Sequence, residues 1–124
     1  MRTLPVPGQT DIVLDEIAKE FSAARTALRE RNEGRARVCA RRAAGRAVAL
    51  YLASSPHPAW GNDAMTQLRA LAADAAFPDP VRVAALRLTT RIDTQFSGPA
   101  PADLLADAQA IVDYFIPPGE TIAR

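Results

Sequence analysis

The chain predicts an all-α fold, an up-and-down bundle of four to five helices. Three observations carry that expectation. Apolar residues recur at helical spacing in successive stretches, and no stretch alternates as a strand does. The stretches are separated by short breaks rich in Pro, Gly and Asn. Residues 35–53, RARVCARRAAGRAVALYLA, hold no proline and one glycine, and Ala and Arg dominate them. Both are good helix formers, and small side chains let neighbouring helices come close.

The 124 residues fit one domain of ordinary size. Such a chain buries roughly two thirds of its unfolded surface, enough for one core. Residues 1–9, with Pro5, Pro7 and Gly8, read as an extended arm. The bundle is expected over 10–116, and 117–124 is read as a tail after Pro117-Pro118-Gly119.

Taken in order, Thr10 is placed to cap a first helix that carries Asp11, Asp15 and Glu16 early, at the positive end of its dipole. Leu14, Ile17, Phe21, Ala24 and Leu28 make a one-sided stripe running to about Arg31. Asn32-Glu33-Gly34 breaks it, and so short a break predicts an antiparallel hairpin with the next helix. In that central helix Ala36, Cys39, Ala40, Ala43, Ala44, Ala47, Leu50 and Tyr51 share one broad side. Val38, Gly45, Val48, Ala49 and Leu52 form a second apolar stripe opposite, so the helix is expected to touch neighbours on both sides.

Residues 54–61, SSPHPAWG, read as a loop. Asn62 is the expected cap of a third helix, with Met65, Leu68, Leu71, Ala72 and Ala75 inward. Asp79 and Pro80 suit the N-cap and first position of a fourth helix to about Phe96, with Val81, Ala84, Ala85, Leu88 and Ile92 inward. After a loop at 97–101 a fifth helix runs to Ile116, with Leu105, Ala108, Ile111, Val112 and Phe115 inward.

The net charge is +1, which gives the whole chain no strong pull on polyanions. The distribution is uneven. Residues 25–46 carry eight Arg against Glu30 and Glu33, a local +6 that leaves −5 for the rest. Arg35, Arg42 and Arg46 flank the second stripe on one side, Arg37 and Arg41 on the other. These five are the candidate polyanion-binding residues, because the guanidinium fork matches phosphate. Ion pairing with acidic neighbours is the plainer role, and with Tyr51 the only aromatic there, base stacking is unsupported. Val38, Gly45, Val48, Ala49 and Leu52 are the candidate dimer surface, with Gly45 permitting close approach to a second copy.

Little else has the makings of chemistry. One Cys excludes an internal disulfide and a Cys-based zinc site. Cys39 lies on the Ala side and reads as a small buried hydrophobe. His57, the only His, sits in a Pro-His-Pro loop beside Trp60 and reads as a packed loop residue. Asp103, Asp107 and Asp113 read as a solvated face or as partners for Arg. Gly-rich phosphate loops, nucleophile motifs and metal-ligand spacings are absent, so no cofactor and no metal are expected. No signal peptide and no 18-residue apolar span is seen, which makes a cytoplasmic chain with no membrane contact the default.

From Val38 onward the pieces VCARRAAGRAVALYL, NDAMTQLRAL, VAALRLTTRI and LLADAQAIVDYF, in that order, resemble HEPN domains over about 80 residues. The resemblance implies a small helical bundle that dimerises and often acts beside a nucleotidyltransferase partner. It departs at Gly45, where the family often carries an acidic residue. The nuclease members' Arg-x(4–6)-His motif is also missing: Arg82, Arg87 and Arg91 have no His after them, and His57 lies eleven residues past Arg46. The expected function is therefore a non-catalytic interaction module acting as a homodimer. A nucleotide- or RNA-binding protein using the Arg face is the alternative.

Overall fold

The computed structural model describes residues 9–90 and 100–117. Five α-helices make up the fold: α1 (Gln9–Arg29), α2 (Glu33–Ser54), α3 (Ala64–Ala73), α4 (Asp79–Thr89) and α5 (Pro101–Phe115). One 3-10 turn, Pro58–Trp60, lies between α2 and α3. The described residues contain no strand. No helix among them is long and apolar enough to cross a membrane. The arm at 1–8, the tail beyond Pro117, and the expected stretch from Arg91 through Ile92 to Phe96 lie outside the described residues.

α1 forms because its apolar residues fall on one side. Ile17, Phe21, Ala24 and Ala27 are buried, while Leu14 and Leu28 at the stripe's ends are half-buried. The helix begins at Gln9, so Thr10 lies inside it instead of capping it. Its other end closes at Arg31, three residues before Gly34. The Asn32 N–H donates to Ala27 O at 2.8 Å and the Arg31 N–H to Leu28 O at 3.1 Å. That pair of bonds is the Schellman arrangement, and it requires a left-handed residue, here Arg31 at φ 61°. Gly34 falls inside the first turn of α2. The Asn32 side chain starts α2 by accepting the Arg35 N–H at 3.1 Å.

α2 is the central helix, and every other helix packs on it. Ala36, Cys39, Ala40, Ala43, Ala44, Ala47 and Val48 are buried, and Leu50, Tyr51 and Leu52 are partly so. α1 returns antiparallel along one side. α5 lies along another side in the same direction as α2, so the Tyr51 and Phe115 rings meet at 4.8 Å. α3 crosses at Gly45, where a built Cβ would stand only 2.8 Å from the Ala64 Cβ.

The later helices depart from expectation at their ends. Asp63, not Asn62, caps α3, accepting the Thr66 N–H and the Thr66 hydroxyl, both at 2.9 Å. Those bonds hold its carboxyl below the ordinary range. α3 stops at Ala73, which leaves Ala75 exposed. α4 counts Asp79 as its first residue, with Pro78 as cap. It ends at Thr89 because Thr90 turns extended, φ −74° and ψ 133°. The Thr89 and Thr90 hydroxyls donate back to Ala85 O and Leu86 O, as short polar side chains near a helix end do. On α5, Leu104 is buried and Leu105 only partly. Ala108, Ile111 and Val112 are inward as expected, and Leu104 takes the buried place expected of Leu105. Phe115 is half-buried, and Ile116 takes the buried place beyond it.

Two expected outcomes test this account. Gly45→Ala gains about 1 kcal/mol of helix propensity but overpacks the α2–α3 crossing, which costs about 1–3 kcal/mol. The melting temperature should fall, and Ala64→Gly in the same chain should recover it. No fall would show that α3 does not approach Gly45 closely. Arg31→Gly should stabilise the hairpin by about 0.5–1 kcal/mol, because a left-handed non-glycine residue costs about 1–2 kcal/mol and Gly returns part of that as chain entropy. Destabilisation in denaturant melts would remove the left-handed turn.

Candidate functional site

The five candidate arginines leave α2 in different directions, and the bundle uses most of them. The Arg46 Nη1 donates to Glu16 at 3.1 Å and its Nη2 to Glu20 at 3.2 Å, tying α2 to α1. Its Nε is buried with no partner among the described residues. The Arg41 Nε donates to Leu88 O at 2.7 Å. That carbonyl lies in the last turn of α4, so Arg41 satisfies an end group that α4 cannot satisfy itself. Burial, then the neighbouring Arg37 cation, pushes the Arg41 pKa down. Arg37 lies 3.8 Å from Glu33, one turn back on α2. Arg35 and Arg42, two turns apart on one row, are exposed and have no side-chain partner among the described residues. The five do not converge, so the structure does not assemble them as one polyanion site.

The second stripe divides in the same way. Val48 is fully buried, and Gly45 is covered by Ala64 of α3. Leu52 is partly buried against the core. Only Val38 and Ala49 remain exposed. The expectation that all five form a dimer surface is therefore corrected: the partner for Gly45 and Val48 is α3 and the core of the same chain. A shallow depression of about 300 Å³ remains where α3 meets α2, lined by Arg42, Gly45, Arg46, Ala49, Asn62, Ala64 and Gln67. Glu16 and Glu20 already pair with the two Nη groups of Arg46 there, and the Gln67 Nε2 donates to Gly61 O at 3.0 Å. Arg42 is the one cation in it left without a carboxylate.

The other end of the molecule gathers its aromatics. Tyr51, Trp60, Phe77, Tyr114 and Phe115 join His57 there. The His57 ring lies 4.5 Å from Trp60 at 34°, and its Nε2 is 2.9 Å from the Tyr51 hydroxyl. The loop reading of His57 packed on Trp60 holds. The surrounding end-group network of Tyr51, Phe77 and Phe115 was not visible in sequence, because these residues come from three separate elements. Burial, then Tyr114 and Asp74, raises the Tyr51 pKa.

The polar residues elsewhere also bind helix to helix. Asp107 is buried and takes two bonds from Arg87, at 2.7 and 2.9 Å. Such a bidentate pair joins α4 to α5 with fixed geometry. Asp113 accepts from Gln109 at 2.8 Å. The Arg82 Nε donates to Ala72 O at 3.1 Å, closing the end of α3 as Arg41 closes that of α4. Cys39 is buried, and burial, then Glu20, raises its thiol pKa. Among the described residues no group of three or more His, Cys, Asp or Glu could hold a metal.

What sequence reading missed is the outer face of α4. Val83 is 43% exposed and Leu86 58% exposed, one turn apart on the same side. Both lie off the inward stripe of Val81, Ala84, Ala85 and Leu88. The signal was present as apolar residues lying off the inward stripe.

The raised pKa values of Cys39 and Tyr51 fix a sign. Both groups stay neutral in the folded chain at pH values where the unfolded chain ionises them. Their contribution is whole below the unfolded values and is lost as pH rises through the folded ones. Thermal stability should therefore decline from about pH 9 upward. Cys39→Ala should lessen that decline, and an unchanged alkaline slope would show that the thiol is open to water.

No family model, no curated protein and no solved structure matches this chain.

Proposed function

We propose that the chain is a non-catalytic, HEPN-like helical interaction module that works in the cytoplasm as a homodimer. The observation that carries the reading is the division of labour among its side chains. The polar groups that a reaction would need are engaged between helices: Asp107 with Arg87, Glu16 and Glu20 with Arg46, and His57 with Tyr51. Large apolar side chains, by contrast, stand in solvent at Val38, Val83 and Leu86. Adjacent exposed apolar residues are what a protein surface offers to a partner.

Sedimentation or light scattering at tens of micromolar should give twice the 13.3 kDa chain mass. A monomer at high micromolar concentration overturns the reading. A polyanion-binding role draws support from exposed Arg35 and Arg42 alone, so only weak, salt-sensitive RNA binding is expected. Sub-micromolar RNA affinity at physiological salt, lost in Arg35→Glu/Arg42→Glu, would replace the module reading with the nucleic-acid one.

A further inference from the structure

Asp79, Val83, Leu86 and Thr90 follow one another at i, i+4, i+7 and i+11, a single row along the outside of α4. All four are exposed. The other sides of α4 are occupied. Val81, Ala84, Ala85 and Leu88 enter the core, Arg82 reaches α3, and Arg87 reaches α5. Beside the row lies a hollow of about 340 Å³ between α3 and α4, lined by Arg69, Ala72, Ala73, Leu86, Thr89 and Thr90. Its floor is two alanines, and Leu86 projects next to it.

We propose that this face is the homodimer surface, with the two α4 helices packed antiparallel about a twofold axis. The proposal rests on the homodimer reading and names its surface. The row is self-complementary when reversed. An axis midway between Val83 and Leu86 sets each Val83 on the partner copy's Leu86 and brings each Leu86 to the hollow of the other copy. The same reversal carries Asp79, at one end of the row, to the partner's Thr90 and Arg69, at the other. Asp79 is exposed enough to make that pairing. Its side chain is 90% exposed, and its one contact is a 3.5 Å pair with Arg82 on the same helix. Such a surface pair holds weakly. Arg69 is exposed too, beside the hollow. Opposite charges at the ends of an antiparallel row fix its register and exclude the parallel one, where Asp79 would face Asp79. Two apolar side chains per copy make a small contact, so the dimer should exchange with monomer in the micromolar range, as small interfaces do.

Sedimentation velocity over a dilution series tests this on the whole chain. Wild type should dimerise. Leu86→Glu should be monomeric with unchanged helicity, because Leu86 belongs to no core contact. Asp79→Arg and Arg69→Asp should each weaken the dimer by about tenfold, and the two together should restore it. Recovery in the doubly reversed chain cannot come from misfolding, so it decides the matter even if one variant folds poorly. A dimer that survives Leu86→Glu, or a double reversal no tighter than the singles, overturns the α4 surface and leaves the homodimer reading intact. A monomeric wild type overturns both.

Discussion

The structure depends on how closely helices can approach α2. Its buried residues are Ala36, Cys39, Ala40, Ala43, Ala44, Gly45, Ala47 and Val48, nearly all small. Small side chains let two backbones come together and trade bulk for number of contacts. The larger volume is supplied by the neighbours: Phe21 from α1, Leu68 and Leu71 from α3, Leu88 from α4, and Leu104 and Ile111 from α5. A thin central rod surrounded by thick partners reaches core density without a large residue on the rod itself. Gly45 is the extreme of this arrangement, since even a methyl group there would collide with Ala64.

Arginine supplies the second kind of connection. α3 and α4 are short and end without glycine, so their last carbonyls need donors from elsewhere. Arg82, leaving α4, serves Ala72 O of α3, and Arg41, leaving α2, serves Leu88 O of α4. Arg46 and Arg87 do the corresponding work between side chains. Within the arginine-rich stretch 25–46, Arg41 and Arg46 serve the needs of a central helix with polar contacts on several sides. A long stem with a forked head can pack against apolar surface and still reach a carbonyl or carboxylate. On α2 the exposed basic residues are the outward row of Arg35 and Arg42.

This separation bears on function. Once α3 covers Gly45 and the core takes Val48, the second stripe of the central helix leaves only Val38 and Ala49 exposed. Ile12 on α1, Val38 on α2 and Tyr114 on α5 are exposed singly, whereas α4 exposes two large apolar side chains one turn apart, Val83 and Leu86. Among the described residues nothing covers Val83 and Leu86, which is why that face is the one proposed for a partner.

The helical class, the near-correct extents of α1, α2 and α5, and the central place of α2 were legible in the sequence, since a 3.6-residue period and two apolar sides determine them. Helix ends were less legible. Gly34 advertised a turn that Arg31 makes, and Asp63 displaced Asn62 as a cap, because several nearby residues can satisfy the same end groups and packing chooses among them. The candidate site was the least legible. Periodicity shows which residues share a side of α2, but not which neighbour meets that side. Whether Gly45 faces α3 or a second copy, and whether Arg41 meets a phosphate or Leu88 O, is decided by where the later helices land. That depends on contacts between residues 19 (Gly45 and Ala64) and 47 (Arg41 and Leu88) positions apart, which no local pattern encodes. Tertiary packing alone turned an apparent surface stripe into core and left Val83 and Leu86 outside.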